Sequence, residues 1–151
     1  YDTNLKVNPP LRSRADMMHL REAVMNGLVD CIATHHLPQS WDNKICEFEY
    51  AKNGMIGLQT AYAAVQTILP GLGSSKIAEL FSENARAIFN LPQATVDMDK
   101  NAELTIFTNK ATFVLMEKDI KSKSANTAFI NHDLRGKVIG IFTKGNLVLN
   151  K

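Results

Sequence analysis

Hydrophobic residues recur at helical spacing in the first half of the chain and alternate with polar residues in the second half. Apolar positions three or four residues apart predict an amphipathic helix over residues 15–28 and a second helix over residues 58–69. Serines suited to helix N-caps predict two more helices, one from Ser74 or Ser75 through Phe81 and one from Ser82 to Pro92. Between the first two helices, the apolar run at residues 29–34 is typical of a short buried strand.

In the second half the alternating pattern indicates strands instead of helices. Strands are predicted at residues 103–108, 112–116, 138–143 and 147–149. The last two flank Lys144-Gly145-Asn146, which is typical of a hairpin turn. The polar stretch of residues 118–135 is predicted to be irregular, with residues 121–124 as a solvated surface loop.

The chain is therefore expected to contain two units of different character. Residues 1–92 combine a strand with helices in the local order of a βα barrel, whereas residues 93–151 predict a small β unit. A complete (β/α)8 barrel needs about 250 residues. The 151 residues of this chain can therefore hold only a piece of such a barrel.

The composition is that of a soluble globular protein, with 45% hydrophobic and 21% charged residues. Seventeen Lys and Arg residues against 15 Asp and Glu residues give a formal net charge of +2, without the basic stripe typical of nucleic-acid binding. No apolar run approaches the about 20 residues of a membrane span, and nothing after Tyr1 resembles a signal peptide. Cys31 and Cys46 are too few for a disulfide framework and predict reduced thiols in the cytoplasm.

A long polar segment, residues 35–52, follows the predicted buried strand and is a candidate site, because catalytic residues of α/β barrels lie where strands end. His35 and His36 open this segment. Their imidazoles could act as metal ligands or general bases, or they could simply form hydrogen bonds with their neighbours. A zinc site takes at least about three protein ligands, and no other cluster in the sequence shows ligand spacing, so the pair alone leaves both interpretations open.

Two loops place further candidate residues near a ligand. Asn8 and Arg12 flank a Pro-Pro pair, and they could contact a polar or anionic ligand or form a tight connection before the helix. Gly54 and Gly57 could place backbone amides near a ligand at a helix start, or could form a simple turn that leads into the helix. The residue types alone leave both alternatives open at each position.

In their order and spacing, these segments together resemble dihydroorotases of the cyclic-amidohydrolase superfamily. The resemblance runs over nearly the whole chain and rests on the motifs Asn8-Pro9-Pro10-Leu11-Arg12, Thr34-His35-His36-Leu37-Pro38-Gln39, Gly54-Met55-Ile56-Gly57-Leu58, Ser82-Glu83-Asn84-Ala85-Arg86, Lys121-Ser122-Lys123-Ser124 and Asn126-Thr127. It implies the C-terminal portion of such a protein. The last strand–helix units of a metal-dependent-hydrolase (β/α)8 barrel would occupy residues 1–92, and strands of a small β-sandwich domain would occupy residues 93–151.

The resemblance also implies a reaction, the reversible cyclisation of carbamoyl-aspartate to dihydroorotate in de novo pyrimidine biosynthesis. Members of the family carry it out at a metal centre inside the barrel, where metal ions polarise the ring carbonyl and a carboxylate shuttles a proton. Zinc is expected for an active full-length member. The family's paired histidines and further metal ligands lie upstream of the matched motifs, so the chain alone is expected to bind no catalytic metal and to lack activity.

Two residues depart from the family's pattern. The family carries its catalytic aspartate in a Thr-Asp-His-Ala-Pro-His motif, so His35 stands in the place of that aspartate and Gln39 in the place of a substrate-binding histidine. Asn8, Arg12 and Gly57 match the family's substrate-binding positions. His35 could still bind a metal ion, but it supplies no negative charge. We therefore predict an inactive or strongly impaired dihydroorotase-like protein, with a divergent active amidohydrolase as the alternative.

Two other functions remain open. A hydantoinase-like or allantoinase-like amidohydrolase belongs to the same superfamily, although the Asn8-Pro9-Pro10-Leu11-Arg12 motif favours dihydroorotase. A non-catalytic assembly module would instead partner aspartate transcarbamoylase, with which some members of this family assemble, or it would self-associate through apolar faces and unpaired strand edges. Neither nucleic acid nor a membrane is expected as a partner.

Overall fold

A computed structural model describes residues 1–150 as a mixed α/β structure, with helices in the first part and an antiparallel sheet in the second. The helices are α1 (Arg14–Met25), α2 (Ala61–Ile68), α3 (Ser74–Ala78) and α4 (Asn84–Ile88). Short 3-10 helices lie at Thr3–Leu5, Trp41–Asn43 and Glu117–Asp119. No helix within residues 1–150 has the length and apolar character that crossing a membrane requires.

Helix α1 forms where its apolar spacing predicts it, although it ends at Met25, three residues earlier than expected. The Ser13 hydroxyl accepts a hydrogen bond from the Asp16 amide, and the Asp16 carboxylate accepts one from the Ser13 amide, which completes a capping box. Val24 is the buried member of the predicted apolar stripe. The other members of the stripe are exposed: Met17, Leu20 and Leu28.

The hydrophobic core lies between α2, α3 and the sheet. One cluster of buried side chains joins the helices, and its members are Val24, Val65, Leu69, Leu72, Ile77 and Leu80. A second cluster joins α2 to the sheet region through Ala63, Leu115 and Leu134. Complete burial of a Val, Leu or Ile side chain contributes roughly 1.5–3 kcal/mol, so these clusters hold the helices against the sheet.

The stretch from α3 to α4 differs from the prediction of two separately capped helices. Helix α3 begins after Gly73 without a side-chain cap, and a π-helical turn at Glu79–Glu83 leads directly into α4. Ser82 lies inside this turn, so the prediction that it caps a helix is wrong. The turn widens where Leu80 is fully buried and its carbonyl accepts a hydrogen bond from the Ile32 amide at 2.9 Å, outside the helix.

Residues 29–34 do not form the predicted buried strand. A strand needs a neighbour that continues its hydrogen-bond ladder, whereas the backbone–backbone bond described for this segment runs from Ile32 to Leu80 in a helical turn, and the Asp30 carbonyl accepts from the Asn84 side chain. Just beyond it, one parallel bridge joins His36 and Met55. Val29 and Ile32 are half-buried and pack against the first core cluster.

The sheet is antiparallel and contains, in spatial order, β1 (Leu104–Val114), β2 (Asp133–Thr143) and β3 (Asn146–Leu149). The strands predicted at residues 103–108 and 112–116 form one strand, because an irregularity in register between Thr108 and Thr112 interrupts the alternation seen in the sequence. The hairpin between β2 and β3 is confirmed. Its central residues Lys144 and Gly145 have φ values of 48° and 77°, and a two-residue hairpin turn of type I′ needs a positive φ at both central residues.

Gly136 allows β2 to lie close to α2. A Cβ atom at Gly136 would lie 2.9 Å from Cε1 of Tyr62 and 3.2 Å from the Gln66 side chain. The Tyr62 ring also packs against the Phe107 ring, with 4.9 Å between their centroids. The Tyr62 hydroxyl is buried and forms no hydrogen bond within residues 1–150, and burial raises its pKa.

Candidate functional site

Three segments that carry the predicted site residues are joined by backbone hydrogen bonds. The Gly54 amide donates to the Lys6 carbonyl at 2.9 Å. This bond links the N-terminal segment, which continues to Asn8 and Arg12, to the segment of Gly54 and Gly57. His36 forms a parallel bridge with Met55, beside which the Leu37 amide donates to the Met55 carbonyl at 3.0 Å. The structure therefore assembles one candidate site from separate stretches of sequence.

A buried asparagine from the second half of the chain ties two of these segments together. Asn126 is 6% exposed, and its Oδ1 accepts a hydrogen bond from the Gln39 amide at 3.0 Å. Its Nδ2 donates to the carbonyls of Leu37 and Gly54, each at 3.2 Å. Its own carbonyl accepts from the Ile56 amide at 3.0 Å. The polar segment before β2 is therefore part of the candidate site, which hydrophobic patterning alone did not indicate.

The imidazole of His36 has hydrogen-bond partners inside the chain. Its Nδ1 accepts from the Gly57 amide at 3.0 Å and from the Leu58 amide at 3.3 Å. An accepting Nδ1 places the proton of the neutral imidazole on Nε2. This arrangement matches the interpretation of His36 as a loop histidine bonded to its neighbours. It also occupies the backbone amide of Gly57, the residue that the resemblance implies in substrate binding.

His35, which stands in the place of the family's aspartate, lies in an unusual stretch of backbone. Its φ is 42°, in the left-handed region that residues with a Cβ atom adopt rarely, and its side chain is exposed. Such a conformation persists where the surrounding structure imposes it. The neighbours on both sides supply that constraint, because Gly57 packs against Thr34 and bonds to His36.

Gln39 is bonded within the chain at both ends of its side-chain amide. Its Nε2 donates to the Asn53 carbonyl at 2.9 Å, and its Oε1 accepts from Nδ2 of Asn43 at 3.2 Å. The backbone amide of Gln39 is held by Asn126. Gln39 therefore connects the two ends of the long loop to each other.

Asn8 and Arg12 lie at the margin of this site. Both are exposed, and Nε of Arg12 lies 3.6 Å from the Asp16 carboxylate, an exposed ion pair of the kind that contributes little to stability. No hydrogen bond within residues 1–150 links either side chain to Gln39 or Gly57. The structure thus brings the segments of His35, Gln39 and Gly57 into one region. The segment of Asn8 and Arg12 is joined to them through the residues that precede it, by the bond from Gly54 to the Lys6 carbonyl and by the bonds of the Thr3 and Lys6 side chains to carbonyls of the long loop.

A buried lysine lies beside the site and was not indicated by the sequence, where it reads as one more polar residue of the loop. Lys44 is 9% exposed, and its Nζ donates to the carbonyls of Thr3 and Lys52, both at 2.8 Å. Burial lowers its pKa from the ordinary value of 10.5, and the charge of Lys6 lowers it further, against an opposing effect of Asp2. Lys44 therefore fastens the N-terminal segment to the long loop.

The side chains described here do not fit the metal centre that the resemblance implies. Within residues 1–150, no three His, Cys, Asp or Glu side chains lie together in a way that could hold a metal ion. Nδ1 of His36 already accepts two backbone amides, and Cys31 and Cys46 are separate free thiols. A metal centre would need additional ligands from outside these residues.

Among solved structures that share this fold are hydantoinases. An L-hydantoinase (dihydropyrimidinase) from Arthrobacter aurescens matches with a TM-score of 0.87 at 23% identity, over 97% of this chain and 34% of that chain. A D-hydantoinase (dihydropyrimidinase) from Thermus sp. matches with a TM-score of 0.85 at 18% identity, over 98% and 34%. At these identities the likeness shows the fold alone, which is that of the C-terminal part of hydantoinase-like amidohydrolases.

The sequence identifies the relatives more narrowly. The chain is 37% identical over 150 residues to a dihydroorotase from Syntrophus aciditrophicus, covering 98% of the chain and 35% of that protein. It is 40% identical over 152 residues to a dihydroorotase from Mycobacterium tuberculosis, covering 97% and 35%. No family model matches the chain. The resemblance is confirmed: nearly the whole chain is similar to the C-terminal portion of dihydroorotases, and it spans about a third of their length.

Proposed function

We propose that the chain is part of a dihydroorotase-like amidohydrolase whose activity is lost or strongly reduced. The reaction of the active relatives would be the reversible cyclisation of carbamoyl-aspartate to dihydroorotate, a step of de novo pyrimidine biosynthesis. One observation carries the proposal. A chain 37–40% identical to dihydroorotases over nearly its whole length has His35 at the position where the resemblance implies a catalytic aspartate.

The change from aspartate to histidine alters the chemistry available at this position. A carboxylate is an anion at neutral pH, so it accepts a proton from a nearby water and also balances the charge of a nearby cation. An imidazole is neutral or cationic at that pH, so it can accept a proton but supplies no negative charge. We therefore expect the proton transfer assigned to the aspartate to be slow with His35.

Gln39 supports the same proposal from the substrate side. A protonated histidine at this position would bring a cation toward a substrate carboxylate, whereas the Gln39 amide is neutral. Both polar atoms of that amide bind Asn43 and Asn53. Asn8 and Arg12 remain the candidates for holding the substrate carboxylate, because a guanidinium can form two parallel hydrogen bonds with it.

An active full-length relative would use zinc, which polarises a carbonyl and activates a water. Because the donor set of residues 1–150 does not fit a metal centre, we assign no step through a metal to this chain. We further propose that residues 1–92 form the end of a (β/α)8 barrel, that residues 93–151 form β-sandwich strands, and that the protein is cytoplasmic. The purified 151-residue chain should not turn over dihydroorotate, and measurable turnover would contradict this.

The test uses the full-length protein that contains this chain. We expect its activity to be very low and to rise at least about 100-fold when His35→Asp is combined with Gln39→His, since a positioned general acid or base contributes about 10²–10⁴ in rate. His132→Asp, the same change at an exposed histidine outside the site, is the matched control and should leave activity unchanged. Activity of the unmodified protein equal to that of an active dihydroorotase would overturn the proposal.

A substrate panel separates dihydroorotase from the hydantoinase-like and allantoinase-like alternative. Identities of 37% and 40% to dihydroorotases, against 18% and 23% to the hydantoinases, favour dihydroorotate as the substrate. The restored double variant should therefore open dihydroorotate in preference to hydantoins or allantoin. Turnover of hydantoins or allantoin without dihydroorotate would support the alternative.

A non-catalytic assembly role is a second candidate, favoured by apolar surface on α1 and the turn after it. Leu20 and Leu28, two members of the apolar stripe, are 61% and 76% exposed, and exposed apolar surface often marks protein contacts. The partner would be aspartate transcarbamoylase or a second copy of this chain. Light scattering and copurification with aspartate transcarbamoylase test this role, and a strictly monomeric chain that does not bind the enzyme would exclude it.

A further inference from the structure

We infer that His36 is a positioning residue that sets the backbone conformation of His35. The inference rests on the proposed function, which assigns His35 to the place of the family's catalytic aspartate. Nδ1 of His36 accepts hydrogen bonds from two consecutive amides, those of Gly57 at 3.0 Å and Leu58 at 3.3 Å. One ring nitrogen therefore fixes the backbone that leads toward α2 against the segment that carries His35.

Gly57 contacts the chain on both sides of His35. The Gly57 amide donates to His36, the residue after His35. Because Gly57 has no side chain, there is also room beside it for Thr34, the residue before His35. A Cβ atom at Gly57 would lie 3.0 Å from the Thr34 carbonyl oxygen and 3.3 Å from Cβ of Thr34. Beyond His36, the Leu37 amide is bonded to the Met55 carbonyl at 3.0 Å. The residues before and after His35 are thus both held by the same neighbouring segment.

This double contact accounts for the φ of 42° at His35. A residue with a Cβ atom prefers the extended or right-handed regions, so the left-handed conformation persists only while its neighbours are held. Loss of the bond from Gly57 to His36 would release one of the two constraints. His35 would then move toward an extended conformation, which changes the direction of its side chain. His36 therefore acts on His35 through the backbone.

Three substitutions at His36 separate its acceptor atom from its bulk. In His36→Asn the side-chain Oδ1 lies at about the same distance from the backbone as Nδ1, so an acceptor for the Gly57 amide is kept. In His36→Gln the acceptor lies one carbon further out, at the distance of Nε2. His36→Leu removes the acceptor and keeps a side chain of similar size. Asn and Gln therefore form a matched pair that differs only in where the amide group lies.

Nuclear magnetic resonance of the 151-residue chain provides the readout. The coupling between the amide and α protons of His35 reports its φ, and amide exchange reports the hydrogen bond of Gly57. Wild type and His36→Asn should share the His35 coupling, and the His36 ring nitrogens of the wild type should show the Nε2–H tautomer. In His36→Gln and His36→Leu, Gly57 protection should fall by about tenfold or more, and the His35 coupling should move to its extended value.

An unchanged His35 coupling in His36→Leu would overturn the inference. If His36→Leu does not fold, equal Gly57 protection in His36→Asn and His36→Gln would overturn it instead. In the full-length His35→Asp, Gln39→His variant, adding His36→Gln should lower kcat with little change in KM, and adding His36→Asn should preserve kcat. The resonance measurements need no activity, so their failure is distinct from failure of the proposed function.

Discussion

Replacing Asn126 with alanine removes the side chain that joins the two site segments. The change breaks hydrogen bonds to the Gln39 amide at 3.0 Å and to the Leu37 and Gly54 carbonyls at 3.2 Å each. Each hydrogen bond contributes about 0.5–1.5 kcal/mol net, and a buried group that loses its partner costs more. Because Asn126 is 6% exposed, water replaces these partners poorly. We expect Asn126→Ala to lower the free energy of unfolding by about 2–4 kcal/mol.

Urea unfolding of the 151-residue chain, followed by circular dichroism, measures this loss together with the m-value. Asn146→Ala is the matched control, because Asn146 is exposed and its Nδ2 forms one hydrogen bond, to the Lys144 carbonyl at 3.1 Å. The control should change the free energy of unfolding by less than about 0.5 kcal/mol. If Asn126→Ala costs no more than this control, the reasoning that Asn126 holds the site segments together is refuted.

Three further predictions concern stability. Tyr62→Phe should raise the free energy of unfolding by about 1 kcal/mol, because it removes a buried hydroxyl that has no partner within residues 1–150. Because the folded-state pKa of Tyr62 is raised, the stability linked to its bound proton is fully present below the ordinary pKa of 10.0 and is lost as pH rises through the folded-state pKa. Urea titrations should therefore show the difference in unfolding free energy between Tyr62→Phe and wild type widening over that pH range, and a constant difference would contradict this. The pKa of Lys44 is lowered in the folded state, so the unfolded chain holds this proton more tightly and the free energy of unfolding should rise as pH increases toward 10.5. Lys44→Met should lack that rise, and the same dependence of the unfolding free energy on pH in both chains would contradict the prediction. Gly54→Ala should lower the free energy of unfolding by at least about 2 kcal/mol, because Gly54 has a φ of 134° and the added Cβ would lie 2.7 Å from the Leu37 carbonyl oxygen. A thermal melt measures this loss, and an unchanged stability would contradict the close approach.

The elements that the sequence predicted correctly are those decided by local interactions. Helix α1 follows from its apolar spacing and from the Ser13 capping box, which involve residues within one or two turns. The β2–β3 hairpin follows from Gly145, which adopts its positive φ without steric cost. These features depend on neighbours in sequence, so the chain itself carries the signal.

The elements that the sequence did not predict depend on distant partners. The apolar run at residues 29–34 has the composition of a strand, but its described backbone bond goes to Leu80 in a π-helical turn instead of to another strand. Asn126 and Lys44 are polar residues in polar stretches, where hydrophobic patterning predicts exposure. Their burial is stabilised by carbonyl and amide groups far along the chain, and no local pattern encodes those contacts.

The candidate site was predicted from the resemblance more than from residue chemistry. The resemblance placed His35, Gln39 and Gly57 in one site, and the structure brings their segments together. It did not indicate that His36 occupies the Gly57 amide or that Gln39 is bonded at both ends of its side chain. Those contacts depend on side-chain geometry, which motif spacing does not contain.

The most direct test of the central claim is the rate at which the full-length protein interconverts carbamoyl-aspartate and dihydroorotate, compared with its His35→Asp, Gln39→His double variant. We expect very low activity in the unmodified protein and a gain of at least about 100-fold in the double variant. High activity in the unmodified protein, together with a loss of activity in the double variant, would contradict it. That result would show that His35 is a working replacement for the aspartate.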